Sequence, residues 1–218
     1  MPKQFDLLIF DWDGTLMDSA GVIVDSIQRA CADIGIPVPS EREARQIIGL
    51  GLVQALQTLL PDLPEGDYPR LVERYRHHYL GRDEEIPLFE GVPEGIRDLA
   101  ERGFTLAVAT GKSRVGLARA LQSSGLGAHF AATRCADQTH SKPHPAMVLE
   151  LIDELDADPA HTLVIGDTSH DLLMAANAGV ARLAVTYGAH EADDLHPHAP
   201  LALLDSFAEV HAWLAANA

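Results

Sequence analysis

Apolar residues recur along this chain with two different periods, and the change from one to the other divides it. Leu7, Leu8, Ile9 and Phe10 form a short unbroken apolar run, the pattern of a strand buried on both faces. From residue 20 to about residue 87 the spacing is helical, with no strand pattern in between. Val22, Ile23, Ser26, Ile27, Ala30 and Ile34 fall at i, i+3, i+4 intervals, and Gly35 before Pro37 ends that helix. Ser40 with Glu43 three positions on predicts a capping box for a short helix through Ile47 and Ile48. Gly49-Leu50-Gly51 then breaks the chain before a helix over 52–60, halted by Pro61, and a fourth helix is predicted over 68–79.

Beyond residue 88, strand and helix patterns alternate. Helices are predicted over 92–102, 115–123, 145–155, 170–178 and 207–216, and strands over 104–109, 130–135, 162–165, 182–186 and 201–204. Such alternation builds βαβ units, a parallel sheet with helices on both faces, and right-handed crossovers. The helical block after the first strand, about seventy residues, is too long for a loop in a compact domain. The expected class is therefore α/β: a Rossmann-like, doubly wound core from residues 1–17 and 88–218, and a small α-helical domain from 18–87.

Composition narrows the partners. The formal charge of −16 makes a nucleic-acid or anionic-membrane binder a poor expectation. No apolar run reaches ~18 residues and the N-terminus leads into an acidic strand motif, so a cytoplasmic protein is expected. Cys31 and Cys135 lack metal or redox spacing and read as small core residues of a reducing compartment. The histidines cluster (His77 and His78; His140 and His144; His190, His196 and His198) without a firm ligand spacing, and the last group reads as solvated in a polar, Pro-rich loop. Lysine occurs at positions 3, 112 and 142 alone.

The chemistry gathers where the predicted strands end. Asp11 and Asp13 follow the first strand, and i, i+2 alternation sends both to one side. Carboxyl ends of central strands are where open α/β sheets bind ligands. Paired acids there need a cation or a shared proton. Thr110-Gly111 follows the second core strand and offers a hydroxyl and amides to phosphate oxygens, or simply an N-cap. Lys142 directly precedes Pro143, with Pro145 two residues further on, at a loop–helix junction. Asp167 ends another apolar strand, and Asp171 follows it four residues later at a helix start.

In order, D-W-D-G-T-L (residues 11–16), Ala109-Thr110-Gly111, Lys142-Pro143 and Gly166-Asp167-Thr168-Ser169-His170-Asp171 resemble the four motifs of the haloacid dehalogenase superfamily. The helical block resembles the cap that some members insert after the first strand. The resemblance implies a phosphatase with Asp11 as nucleophile and Asp13 as general acid/base. It places Thr110, Gly111 and Lys142 on the phosphoryl group. Mg²⁺ would be held by Asp11, Asp13 (through its backbone carbonyl), Asp167 and Asp171, the last orienting bound waters. The implied reaction is hydrolysis of a small phosphorylated metabolite of the phosphoglycolate type through an aspartyl-phosphate.

Departures from relatives select among activities. Asp13 is absent from true dehalogenases, and no lysine lies between Met17 and Lys112 to serve phosphonate cleavage. A β-phosphoglucomutase-like mutase, a pyrophosphatase and a sugar phosphatase are the alternatives, and a non-enzymatic ligand- or partner-binding relative is the reading the intact motifs least favour. The partner is a small phosphorylated metabolite, with neither nucleic acid nor membrane, and the protein is a monomer or homodimer. Lys112 reads as a solvated helix-start residue, with a reach to the phosphate as the alternative. Gly49-Leu50-Gly51 is either a plain turn or a place where backbone nears the ligand. Arg45, Arg74 and Arg76 read as solvated, with a substrate carboxylate as their alternative partner.

Overall fold

The computed structural model describes residues 4–217; Lys3 and the outermost residues of the expected core segments lie outside it. Six strands, β1 (Leu7–Phe10), β2 (Thr105–Thr110), β3 (Ala132–Cys135), β4 (Thr162–Gly166), β5 (Ala181–Val185) and β6 (Leu203–Leu204), form one sheet in the order β3-β2-β1-β4-β5-β6. Every pairing is parallel. This is the doubly wound order, whose direction of winding reverses at β1.

Between β1 and β2 run α1 (Ala20–Ile34), α2 (Glu41–Gln46), α3 (Leu52–Leu59), α4 (Tyr68–Leu80) and α5 (Val92–Glu101). The remaining helices are α6 (Arg114–Ser124), α7 (Ala146–Glu154), α8 (Ser169–Ala178), α9 (Ala192–Leu195) and α10 (Phe207–Asn217). The Ser40–Glu43 capping box forms as expected, but α2 stops at Gln46; Ile47 and Ile48 are buried in the turn that follows. Core strand ends differ from expectation by one or two residues, most at β3 and β6. The α9 helix falls in the loop read as polar, where Leu195 is buried against Leu172 and Ala184.

Alternation along β1 feeds two apolar layers. Leu7 and Ile9 pack with Met147, Val148, Val164 and Met174. Leu8 and Phe10 join a larger cluster that includes Trp12, Leu16, Ile27, Leu56 and Leu71. That second cluster runs continuously from the sheet into α1, α3 and α4, so one face of the sheet and the helical insert share buried surface. Cys31 and Cys135 are both buried free thiols. No helix among the described residues is long and apolar enough to cross a membrane.

Candidate active site

The β1 ladder runs on past its last residue: the Asp11 N–H donates to the Ile165 carbonyl at 2.9 Å, which fixes Asp11 level with the end of β4. Trp12 is wholly buried on the opposite side, edge-on to Phe130 with centroids 6.2 Å apart. A tight turn follows, in which Leu16 and Met17 N–H groups return to the Trp12 carbonyl at 3.0 Å. Gly14 is required in it. Its φ is +80°, and a Cβ there would stand 2.1 Å from Asp167 Oδ2.

One carboxylate oxygen each from Asp11, Asp167 and Asp171 lies within 4.8 Å of the others, and all three residues are buried. Lys142, itself fully buried, places Nζ 2.8 Å from Asp11 Oδ1 and 2.6 Å from Asp171 Oδ1. Both contacts are close charge pairs between buried groups. Asp167 is gripped from two sides: Thr15 Oγ1 donates to Oδ1 at 2.8 Å and the Ala189 N–H to Oδ2 at 2.7 Å. Asp171 Oδ2 closes a capping box, accepting from Thr168 Oγ1 at 2.6 Å and from the Thr168 N–H at 3.1 Å. Asp11 Oδ1 takes the Trp12 N–H at 2.6 Å, whereas Asp11 Oδ2 is buried with no protein partner.

Three carboxylates face one ammonium, and the imbalance shows in the proton affinities of Asp11 and Asp167. Burial raises Asp11 well above the usual carboxylate range; Lys142 opposes the rise, and repulsion from Asp171 and Asp167 adds to it. Burial, then Asp171, pushes Asp167 up to about 7. Burial works against the charge on Lys142, yet Asp11 and Asp171 outweigh it and its pKa is raised. An all-oxygen donor set with an unpartnered buried oxygen and surplus negative charge suits a hard divalent cation. The cluster could therefore hold a metal ion.

Asp13 lies outside that cluster. Its carboxylate turns to Ser19 Oγ, 2.7 Å from Oδ1, and to Lys112 Nζ, 2.8 Å from Oδ1 and 3.0 Å from Oδ2. Lys112 is thus not the solvated residue expected of a helix start: its side chain is 10% exposed, because Asp13 and the Tyr79 hydroxyl, 2.7 Å from Nζ, draw it inward. Thr110, at the end of β2, accepts the Lys112 N–H at 3.2 Å, and Ser113 rather than Thr110 caps the next helix. Gly111 abuts the turn between α2 and α3, where an added Cβ would meet the Gly49 and Leu50 carbonyls at 2.6 Å. The Gly51 N–H donates to Ser141 Oγ at 2.7 Å. The Gly49–Gly51 segment therefore packs against the loops that carry Gly111 and Ser141.

Other expectations move. His190 is 2% exposed, not solvated, and its Nδ1 accepts the Ser169 N–H at 3.1 Å, while His196 is exposed. Arg45 pairs with Glu41 and Arg74 with Asp33, and Arg76 is exposed. Ser19 and Tyr79 were not singled out by sequence. Ser19 occupies the N-cap position of α1, yet its hydroxyl makes no cap bond because it is spent on Asp13. Tyr79 reads locally as one more position on an amphipathic helix.

Comparison with known proteins agrees with the geometry. Residues 8–185 match the family model described as haloacid dehalogenase-like hydrolase. A probable phosphatase IndB of Dickeya dadantii is 39% identical over 94% of this chain and 91% of its own. A phosphoglycolate phosphatase of Agrobacterium fabrum is 33% identical over 84% of this chain and 81% of its own. A crystal structure of a predicted phosphoglycolate phosphatase from Haemophilus somnus superposes with a TM-score of 0.84 at 28% identity, covering 96% of this chain and 98% of that one.

Proposed function

The chain belongs to the haloacid dehalogenase-like hydrolases and is a phosphatase of that family, and from this premise we propose a Mg²⁺-dependent phosphomonoesterase for a small phosphorylated metabolite of the phosphoglycolate type, working through an aspartyl-phosphate on Asp11. The observation that carries it is Asp11 itself. One oxygen is anchored by the Trp12 N–H and Lys142; the other is buried without a partner at the end of β1. That is the arrangement of a nucleophile held still with one face free.

The Asp11, Asp167 and Asp171 carboxylates and the Asp13 carbonyl are the proposed metal ligands, and Mg²⁺ bound there would neutralise charge on the cluster and on a phosphoryl oxygen. Lys142 keeps Asp11 oriented, and its positive charge suits the equatorial phosphoryl oxygens. The Thr110 hydroxyl and the Gly111 amide serve the same oxygens, where electrostatic stabilisation contributes most in this chemistry. Asp11 forms a bond to phosphorus as the ester P–O bond breaks. Asp13 gives its proton to the departing oxygen, then takes one from the water that releases phosphate. Residues 18–87 act as the cap and set substrate choice, a reading supported by the Gly49–Gly51 turn against Gly111 and Ser141. We read the protein as a cytoplasmic monomer or homodimer.

The test is phosphate release with Mg²⁺ or EDTA across phosphoglycolate, sugar phosphates, nucleotides and pyrophosphate, with Asp11→Asn alongside. Metal-dependent turnover, lowered about 10⁴-fold or more in the variant and best on phosphoglycolate, is expected. Turnover indifferent to EDTA and to Asp11 would overturn the mechanism. Isomerisation of a hexose phosphate with little phosphate released would favour a mutase.

A further inference from the structure

We propose that Lys112 and Tyr79 are positioning residues that hold the Asp13 carboxylate in the orientation proton transfer needs. The inference rests on the reading above that Asp13 handles the proton. An ammonium has three donors. Those of Lys112 are taken by Asp13 Oδ1 at 2.8 Å, Asp13 Oδ2 at 3.0 Å and the Tyr79 hydroxyl at 2.7 Å. With Ser19 Oγ also on Oδ1, the carboxylate is gripped through both oxygens and cannot swing freely about its last bond.

Both partners are themselves fixed. The Lys112 N–H is held by Thr110 Oγ1 and its carbonyl by the Ala136 N–H at 3.1 Å. Tyr79 stacks on Tyr75 with centroids 5.7 Å apart, and its ring lies 4.9 Å from the Lys112 ammonium. Tyr79 belongs to α4 of the helical insert, whereas Lys112 and Asp13 belong to loops at the sheet end. Four arginines of the insert pair with carboxylates away from Asp13: Arg29 and Arg82 with Asp25, Arg74 with Asp33, and Arg45 with Glu41. A tether between α4 and the sheet would need no charge, since apolar contact joins elements at lower desolvation cost. The ammonium set on Asp13 points to a purpose in orienting that carboxylate.

A chromogenic substrate separates the two halves of the reaction. With p-nitrophenyl phosphate, Asp11 bonds to phosphorus, the ester P–O bond breaks, and p-nitrophenolate leaves with the bonding pair as a stable anion that needs no proton. In the second half a water oxygen bonds to phosphorus, the P–O bond to Asp11 breaks, and the water's proton passes to Asp13. Misplacing Asp13 stalls this second half alone.

Rapid-mixing kinetics on the Mg²⁺-loaded full chain tests the inference with Lys112→Met, Tyr79→Phe and Asp13→Asn. All three variants are expected to show a p-nitrophenolate burst equal to the enzyme present, then a steady rate more than tenfold slower. Intact-mass measurement should show the phosphorylated protein accumulating. A structural tether would instead slow both phases together or lower only the melting temperature. If Asp13→Asn shows the burst while Lys112→Met and Tyr79→Phe do not, the positioning role is overturned and the Asp13 reading survives. If Asp13→Asn shows none, that reading fails and the inference with it. Tyr79→Phe removes one hydroxyl only, so it decides the matter should Lys112→Met fail to fold.

Discussion

Two lysine–carboxylate centres stand at the same end of the sheet and are put together differently. Around Lys142, the partners come from the end of β1 and the first turn of α8, elements tied by the β1–β4 ladder, and the ammonium is entirely shut off from solvent. Around Lys112, the carboxylate follows β1 while the third contact is the hydroxyl of Tyr79 on the helical insert. The first centre is complete within the α/β core. The second is complete only while α4 lies against that core, which makes its geometry sensitive to how the insert packs.

Removing each ammonium should expose this difference. Lys142→Met leaves Asp11 and Asp171 buried without their cation, a loss of about 3–5 kcal/mol for breaking a buried pair. In a chain of this size that lowers the melting temperature by roughly 10 °C in EDTA. Lys112→Met removes charged hydrogen bonds of a pair that is 10% and 11% exposed, and should cost about 1.5–3 kcal/mol. Thermal unfolding of the two variants side by side decides it, and equal losses would mean that the Lys112 centre is as much a part of the core as the other.

The pH dependence of stability should run in opposite directions for Asp167 and for the buried histidines beside the carboxylate cluster. Asp167 is raised to about 7 by burial and by Asp171, so the metal-free folded state binds its proton more tightly than the unfolded chain. That contribution is fully present below the ordinary carboxylate value near 3.8 and is lost as pH rises through about 7. Where α2 meets the core, His170 Nε2 lies 2.9 Å from the Gln46 carbonyl, and burial lowers the pKa values of both His170 and His190. Their contribution is present above the ordinary histidine value of 6.5 and is lost as pH falls through the lowered folded values. A divalent cation competes with the Asp167 proton. The melting-temperature gap between Mg²⁺ and EDTA should therefore be larger at pH 7.5 than at pH 5.5, and His190→Asn should flatten the acid side alone. A gap independent of pH would remove Asp167 from the metal site.

The acids of the core centre were legible in the sequence because each sits just beyond an apolar run or at a helix start. Period-two alternation predicted the Asp11 and Asp13 carboxylates at one spot, whereas the Asp13 carboxylate turns away to Ser19 and Lys112; the scarcity of lysine marked Lys142. The same local rules failed at Lys112. Beside the N-cap Ser113 it has the pattern of a solvated residue, and its direction is set by Asp13 and Tyr79, both far away in sequence. His190 was misread for a similar reason: its loop is polar, but α9 folds that loop back onto α8. Gly49–Gly51 was legible as a turn or a close approach of backbone, but its contact with Gly111 was not, since glycine signals that backbone approaches something without naming what.

The smallest expected effect concerns the other candidate cations of the insert. Arg74 pairs with Asp33 at 2.5 Å on a surface about one-third exposed, where His78 joins the same carboxylate. Exposed pairs of this kind contribute roughly 0–1 kcal/mol. Arg74→Ala should lower the melting temperature by no more than about 2–4 °C and leave kcat/KM within about twofold, because the guanidinium faces α1 rather than Asp13. The informative substrate is a phosphate ester that also carries a carboxylate. If Arg74→Ala lost tenfold or more on that ester while keeping its rate on p-nitrophenyl phosphate, the arginine would be leaving Asp33 to meet the substrate. The insert would then supply charge as well as the Tyr79 contact, and the contrast between a charged core centre and a merely packed insert would no longer hold.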